Sequence, residues 1–475
     1  MASIDKFTRL FRALTDRERS EFLAFCHSPY LNQNKKATVF VEHLCNSQVY
    51  LETRVITVNE IPLSLFSGSR KKADQLATLK HQALKLLTQF LGQEELKKEE
   101  FQLDFWSAKG VYKRTPKLGA KLLEKLKHKL NSYLTPSTQL SFLQYQVNLQ
   151  LGHYQVLEKT SAHSAIAQAL RHLEQFNLKA QLRLRAGFLN SARLINIDDI
   201  EITGGEELIN NFERYNTPDY LSILYRDLYL SLKYEHDRTY FEELVNRLLQ
   251  AEIKDIASEE IHTIFLLCIN LCIRRSRSRP NNTYYTELRR KLYNEGTRSK
   301  ILFEGGYLTE WTYKNAIKTG LQLQLLPWTE NFIDQYTAYL TPGVRNNALN
   351  YNLAELSFAK RDFDLVLDYL SEVSTNDFRY YLSSKTLIIK TFYETGNMSS
   401  CMSAVGSLTV YLSRLKGVSN SIKKGYLHFC QILYQITSIR AEKKVQKIKE
   451  KLRSNALLAE RDWLQDVFQR EHPHA

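Results

Sequence analysis

Two stretches near the C-terminus of this 475-residue chain share one build, and their recurrence constrains the fold more than any other feature. From Asn346 to Ala359 the apolar residues Leu349, Leu353, Ala354 and Leu356 fall at helical spacing. A tight turn follows at Lys360-Arg361-Asp362, then a second helical pattern with Phe363, Val366, Leu367, Leu370 and Val373. The same order returns at once. Leu382 to Thr395 carries Leu387, Ile388, Ile389 and Phe392, Gly396-Asn397 makes a turn, and Met398, Cys401, Met402, Val405, Leu408, Leu412 and Leu415 follow. The turn residues Arg361 and Gly396 are 35 positions apart. A single helix pair cannot bury its apolar face alone, so a chain with this period is expected to stack pairs into a continuous core.

The stretch Asn352-Leu353-Ala354, Phe358, Arg361-Asp362-Phe363 and Tyr369-Leu370 resembles a tetratricopeptide repeat. Leu353 and Ala354 match its Leu-small pair, and Phe363 matches the aromatic after the turn. Val366 and Cys401 depart from the small residue of the second helix, and Arg361 departs from the turn glycine. An earlier copy spans Thr309 to Leu340, with Trp311, Tyr313, Trp328 and Phe332, and a later one begins near Ser421. The resemblance implies a right-handed α-solenoid of antiparallel helix pairs whose first helices line a concave groove. Tyr351, Glu355, Phe358, Thr386, Lys390 and Tyr393 are then expected to face that groove. Phe358 also reads as core between repeats, and Tyr393 suits either place. The whole chain is similar to a family of helical bacterial proteins through Ser28-Pro29-Tyr30-Leu31-Asn32, Tyr313-Lys314-Asn315 and Asn350-Tyr351-Asn352-Leu353-Ala354. That likeness brings no activity with it.

The rest of the chain also reads as helix, so the expected class is all-α. Only 9 prolines and 17 glycines occur, and the prolines sit at helix ends or in loops. Residues 1–95 read as an N-terminal helical subdomain, 96–205 as a helical hairpin region, 206–308 as helical pairs, and 309–475 as repeats with a basic C-terminal helix. Thr15 and Glu18 form a capping-box pattern, and Ser28-Pro29 ends the helix that follows. Residues 47–69 read as a packed loop with room for a short strand, 196–205 as a subdomain break, and Arg274–Asn282 as a polar loop. Gly204-Gly205 and Gly305-Gly306 are expected to end or join helices.

Nothing in the sequence points to catalysis or to a cofactor. It contains no G-x-x-x-x-G-K-[ST], no H-E-x-x-H and no G-x-S-x-G. Cys268 and Cys272 are four apart, but with His262 they fall short of four zinc ligands and read as core, while Asp362 reads as a helix cap. The six cysteines are scattered, as expected of free thiols in a reducing compartment. No secretory pattern opens the chain, and the apolar run Ile264–Ile273 is about half of a membrane span. A cytoplasmic protein without membrane contact is expected.

The net charge of +14 gathers in Lys113–Lys129, in Arg440–Arg453, and in Arg274, Arg275, Arg277 and Arg279. The first two stretches carry apolar seams, so their lysines read as wet helix faces. The arginines read as an exposed, uncompensated basic patch able to meet phosphates. The expected function is a non-enzymatic scaffold holding a peptide or helix of a protein partner in the groove. Its rival is a nucleic-acid-binding regulator using the basic helices and the four arginines.

Overall fold

The computed structural model describes residues 5–47, 56–68, 71–133, 135–158, 161–194, 204–214, 219–234, 237–250, 256, 258–278, 283–438, 442–454 and 457–473. Among the described residues there are 22 α-helices and one two-stranded hairpin, so the class is all-α. The chain forms two compact units, 1–133 with 139–173, and 134–138 with 174–475.

The first unit contains α1 (Lys6–Ala13), α2 (Asp16–His27), α3 (Lys35–Ser47), α4 (Lys72–Lys98), α5 (Glu100–Tyr112) and α6 (Pro116–Asn131), most of α7 (Thr138–Leu157) and the start of α8 (His163–Leu194). Phe7, Phe11, Phe22, Phe40, Leu87 and Phe90 fill its first core, against which α4 closes α1, α2 and α3. The capping box expected at Thr15 forms. The Glu18 amide donates to Thr15 Oγ1 at 3.2 Å, and the Thr15 amide donates to Glu18 Oε2 at 2.7 Å. Ser28 caps α2, and Asn32 Nδ2 then donates to the Cys26 carbonyl at 2.9 Å and to Thr38 Oγ1 at 2.8 Å, tying α2 to α3. Residues 56–68 hold two 3-10 turns, Val58–Glu60 and Leu63–Leu65, and no strand among the described residues. On α6, Leu123, Leu126 and Leu130 are buried, while Lys117, Lys121, Lys125 and Lys129 are exposed, as a wet helix face requires.

The second unit runs through α9 (Gly205–Arg214), α10 (Tyr220–Lys233), α11 (Thr239–Leu248), α12 (Ser258–Ser278) and α13 (Tyr284–Arg298). A hairpin follows, with β1 (Phe303–Glu304) and β2 (Tyr307–Leu308), then α14 (Glu310–Gln322), α15 (Leu326–Tyr336), α16 (Pro342–Lys360), α17 (Phe363–Ser371), α18 (Phe378–Glu394), α19 (Met398–Arg414), α20 (Asn420–Ser438), α21 (Glu442–Ser454) and α22 (Arg461–Glu471). From α12 onward consecutive helices pack on one another, and the alternate helices α14, α16 and α18 also touch in sequence. Most of the break expected at 196–205 lies outside the described residues. Gly305-Gly306 does not join helices. With φ of 57° and 85°, it turns β1 back on β2, a conformation that suits glycine.

The short turns inside the C-terminal helix pairs share one device. Gln324, Arg361 and Gly396 each adopt positive φ, at 57°, 64° and 74°. At Arg361 the amide donates to the Phe358 carbonyl at 3.1 Å, and the Asp362 amide donates to the Ser357 carbonyl at 2.9 Å. These bonds satisfy carbonyls that α16 leaves open at its end. The Asp362 side chain then caps α17, accepting from the Leu365 amide.

Candidate binding surface

Four helices place polar side chains around one carboxylate. On α14, Thr309 caps the N-terminus, and Lys314 and Lys318 follow on one face, four residues apart. On α16, Tyr351 and Glu355 have the same spacing, and the tyrosine hydroxyl donates to the carboxylate. On α18, Ser383 and Lys390 are seven apart and therefore share a face. Tyr426 comes from α20 and lies near Ser383 and Glu460. Glu460, just before α22, enters this group. Its carboxylate accepts from Lys390 Nζ at 2.8 Å and from Lys318 Nζ at 3.4 Å.

The segment that carries Glu460 is seated at several points. Its backbone passes close to α20 because residue 425 is glycine: a Cβ there would lie 2.9 Å from the Leu457 carbonyl oxygen. The Ala459 amide donates to the Gly425 carbonyl at 3.2 Å. Beyond Glu460, Trp463 Nε1 donates to Glu394 at 2.9 Å, and Arg470 grips the same carboxylate through two nitrogens at 2.8 and 2.6 Å. The Tyr393 hydroxyl donates to Glu471 at 2.8 Å, and its ring meets Trp463 edge-on at 5.4 Å. Leu464, Val467 and Phe468 on α22 are buried with Phe429, Leu433 and Ile436 of α20. Each such side chain contributes about 1.5–3 kcal/mol of burial.

The electrostatics follow from this crowding. Lys318 and Lys390 hold the Glu460 carboxyl well below the usual carboxylate range. Glu460 in turn raises the Lys318 ammonium above its ordinary value. Lys314 goes the other way. Burial pulls it down to about 8, against the attraction of Glu355. Its Nζ sits 4.1 Å from the centre of the Tyr351 ring and donates to Ser383 Oγ at 3.0 Å. Lys390 is nearly enclosed, with its side chain 9% exposed, and it lies 4.7 Å over the Phe358 ring. Lys318 is 54% exposed and marks the open side of the group.

Of the groove residues expected from sequence, Tyr351, Glu355 and Lys390 meet here, and Tyr393 lies against α22. Thr386 does not: it is buried, with its hydroxyl turned back to the Leu382 carbonyl at 2.7 Å. Phe358 is half-buried core that also floors Lys390. Sequence reasoning missed Lys314, Lys318, Tyr426 and Glu460. The two lysines had a signal in their four-residue spacing on α14. Glu460 had none, because its role depends on chain reversal after α21.

The basic patch takes a different form from the one expected. The segment from Arg274 is not a polar loop but helix through Ser278. Arg275 is buried. Its Nη2 donates to the Ser231 carbonyl at 3.1 Å and the Asp237 carbonyl at 3.3 Å, and its guanidinium lies 4.8 Å over the Phe241 ring. Arg274 is half-buried, Arg277 lies on the last turn of the helix, and Arg279 is outside the described residues. Aromatic rings from α11 and α13 hold Arg275 inward, an effect that a charge count does not reveal. On α21, Val445, Ile448 and Leu452 are buried and Lys447 and Lys451 are exposed. Cys268 and Cys272 are core, and burial pushes the Cys272 thiol up to about 12. His262 is committed elsewhere, to the Ile301 carbonyl at 2.7 Å and to Glu304 at 3.4 Å. No helix among the described residues is long and apolar enough to cross a membrane. No family model matches the chain, and a search of curated proteins finds no match to it.

Proposed function

We propose that this chain is a non-enzymatic, cytoplasmic scaffold that holds a segment of a partner protein. In this reading residues 309–454 form a tetratricopeptide-like right-handed solenoid of antiparallel helix pairs, and the partner lies along the first helices. One observation carries the proposal. The alternate helices α14, α16, α18 and α20 direct Lys318, Tyr351, Lys390 and Tyr426 toward one place, where a turn of the chain's own backbone already lies. A surface that accepts its own chain as backbone plus a carboxylate has the shape and chemistry to accept another. The nucleic-acid reading is weakened by the burial of Arg275, which leaves its patch without a central exposed arginine.

A photo-cross-linking residue tests this reading. Placed at Asn315, exposed beside Lys318 on α14, it is expected to capture a discrete protein in the native cell. Capture should vanish when Lys390→Glu is added, and it should not occur from Val410, exposed on the second-helix side of α19. Equal capture from both positions, or capture abolished by nuclease, overturns the proposal.

A further inference from the structure

We propose that the Lys318–Lys390 pair is a carboxylate-exchange site: Glu460 is its resident occupant, and an acidic side chain of a partner peptide takes its place. The inference rests on the scaffold reading of this surface and adds the chemistry of the partner and a means of gating its entry. Four observations carry it. First, the pair already recognises a carboxylate. Glu460 accepts from Lys390 Nζ at 2.8 Å and from Lys318 Nζ at 3.4 Å, so the two ammonium groups are set at a spacing that an incoming carboxylate matches.

Second, Glu460 is held in a backbone conformation that resists it. Its φ of 50° and ψ of 39° lie in the left-handed region, which a side-chain-bearing residue adopts only where surrounding contacts hold it. Third, the release can be local. Leu464, Val467 and Phe468 anchor α22 in the core independently of Glu460, so residues 457–460 can lift while the helix remains. Fourth, Lys318 is 54% exposed, so a competitor reaches the pair from solvent before Glu460 has fully left.

The test uses the full chain and a fluorescein-labelled hexaglutamate peptide at low ionic strength, read by anisotropy. A resident occupant that fills the site nine-tenths of the time lowers the apparent affinity of a competitor about tenfold. Glu460→Gln is therefore expected to bind the peptide about tenfold tighter than the parent. Adding Lys318→Gln and Lys390→Gln should remove that gain. A parent and Glu460→Gln that bind alike, or a triple variant that keeps the gain, overturns the exchange, as does equal competition by inorganic phosphate. Hydrogen exchange on the unaltered protein gives an answer that no variant's folding can obscure. Saturating hexaglutamate should speed exchange at the Ala459 amide, which donates to Gly425, and leave the Phe468 amide slow. No change at Ala459 overturns the proposal. If hexaglutamate fails while cross-linking from Asn315 succeeds, the exchange falls and the scaffold reading stands.

Discussion

Lys390 Nζ lies 2.8 Å from a carboxylate oxygen of Glu460, across 70 residues of sequence, and the pair joins the first-helix surface of α18 to the segment entering α22. Lys390 has a 9% exposed side chain and Glu460 a 25% exposed one. Removing one partner leaves the other's charge poorly solvated, which costs about 1–3 kcal/mol. Removing both leaves no orphan. Glu460→Gln and Lys390→Met are each expected to lower the melting temperature, and the double variant should lose less than the sum. A coupling energy of about 0.5–3 kcal/mol is the expected size for groups in contact. Strictly additive losses would show that the two side chains do not act together.

Acid should act on the same contact. Glu460 has its carboxyl held below its ordinary 4.5 in the folded chain. A group of this kind contributes its stability in full above its unfolded value and loses it as pH falls toward the folded one. Melting curves of the parent and of Glu460→Gln should therefore differ near neutral pH and converge below about pH 4.5, where the unfolded carboxyl is protonated. A constant gap across that window would contradict the pairing with Lys318 and Lys390.

The arginines of α12 give a sharp contrast. Arg275 makes two hydrogen bonds to carbonyls and packs on Phe241 and Tyr285. Arg275→Ser leaves those carbonyls unpaired and opens space among the rings, so a loss of about 2–4 kcal/mol is expected. Melting temperature is the measurement, and an unchanged value would place Arg275 at the surface after all. With Arg275 buried, combined replacement of Arg274, Arg275, Arg277 and Arg279 reports on folding before it reports on any ligand.

These cases show what the sequence makes legible. The class and the helix pairs around Arg361 and Gly396 could be read because 3.6-residue periodicity is a local property. Tyr351 and Glu355 share a face of α16 because a four-residue spacing is itself local. The patch at Arg275 was misread because a polar run after an apolar helix looks like a loop, whereas burial of the guanidinium is decided by Phe241 and Tyr285 from α11 and α13. Glu460 was invisible for a related reason. Its partners lie 70 and 142 residues away, and nothing local distinguishes it from an ordinary surface glutamate.

The turn at Arg361 offers a stabilising change. Its φ of 64° costs an arginine about 1–2 kcal/mol that glycine avoids, and the side chain is exposed. Glycine returns part of that gain through greater freedom in the unfolded chain, roughly 0.5–1 kcal/mol. Arg361→Gly should therefore raise stability modestly, while Arg361→Val, branched at Cβ, should lower it clearly. Thermal denaturation of the two variants checks both signs, and a Val variant as stable as the Gly variant would mean that the turn is not left-handed.

Two glycines in adjacent helices should respond oppositely to the same methyl group. Gly406 lies on the exposed side of α19, where an added Cβ meets no atom within 4 Å. Alanine there gains helix propensity, and Gly406→Ala should stabilise by roughly 0.5–1 kcal/mol. Gly425 lies on α20 under the seated segment, and an added Cβ would come within 2.9 Å of the Leu457 carbonyl oxygen. That neighbour is backbone, tied through the Ala459–Gly425 hydrogen bond, so it cannot step aside as a flexible side chain would. The expected cost of Gly425→Ala is about 1–3 kcal/mol, the usual range for forcing an extra methyl into packed space. Its location matters more than its size. The segment 457–460 should lift from α20, and trypsin should cut after Arg461 faster than in the parent, while Gly406→Ala leaves that rate unchanged. If Gly425→Ala cleaves at the parental rate and melts higher, in line with alanine's helix propensity, then the segment does not rest on α20.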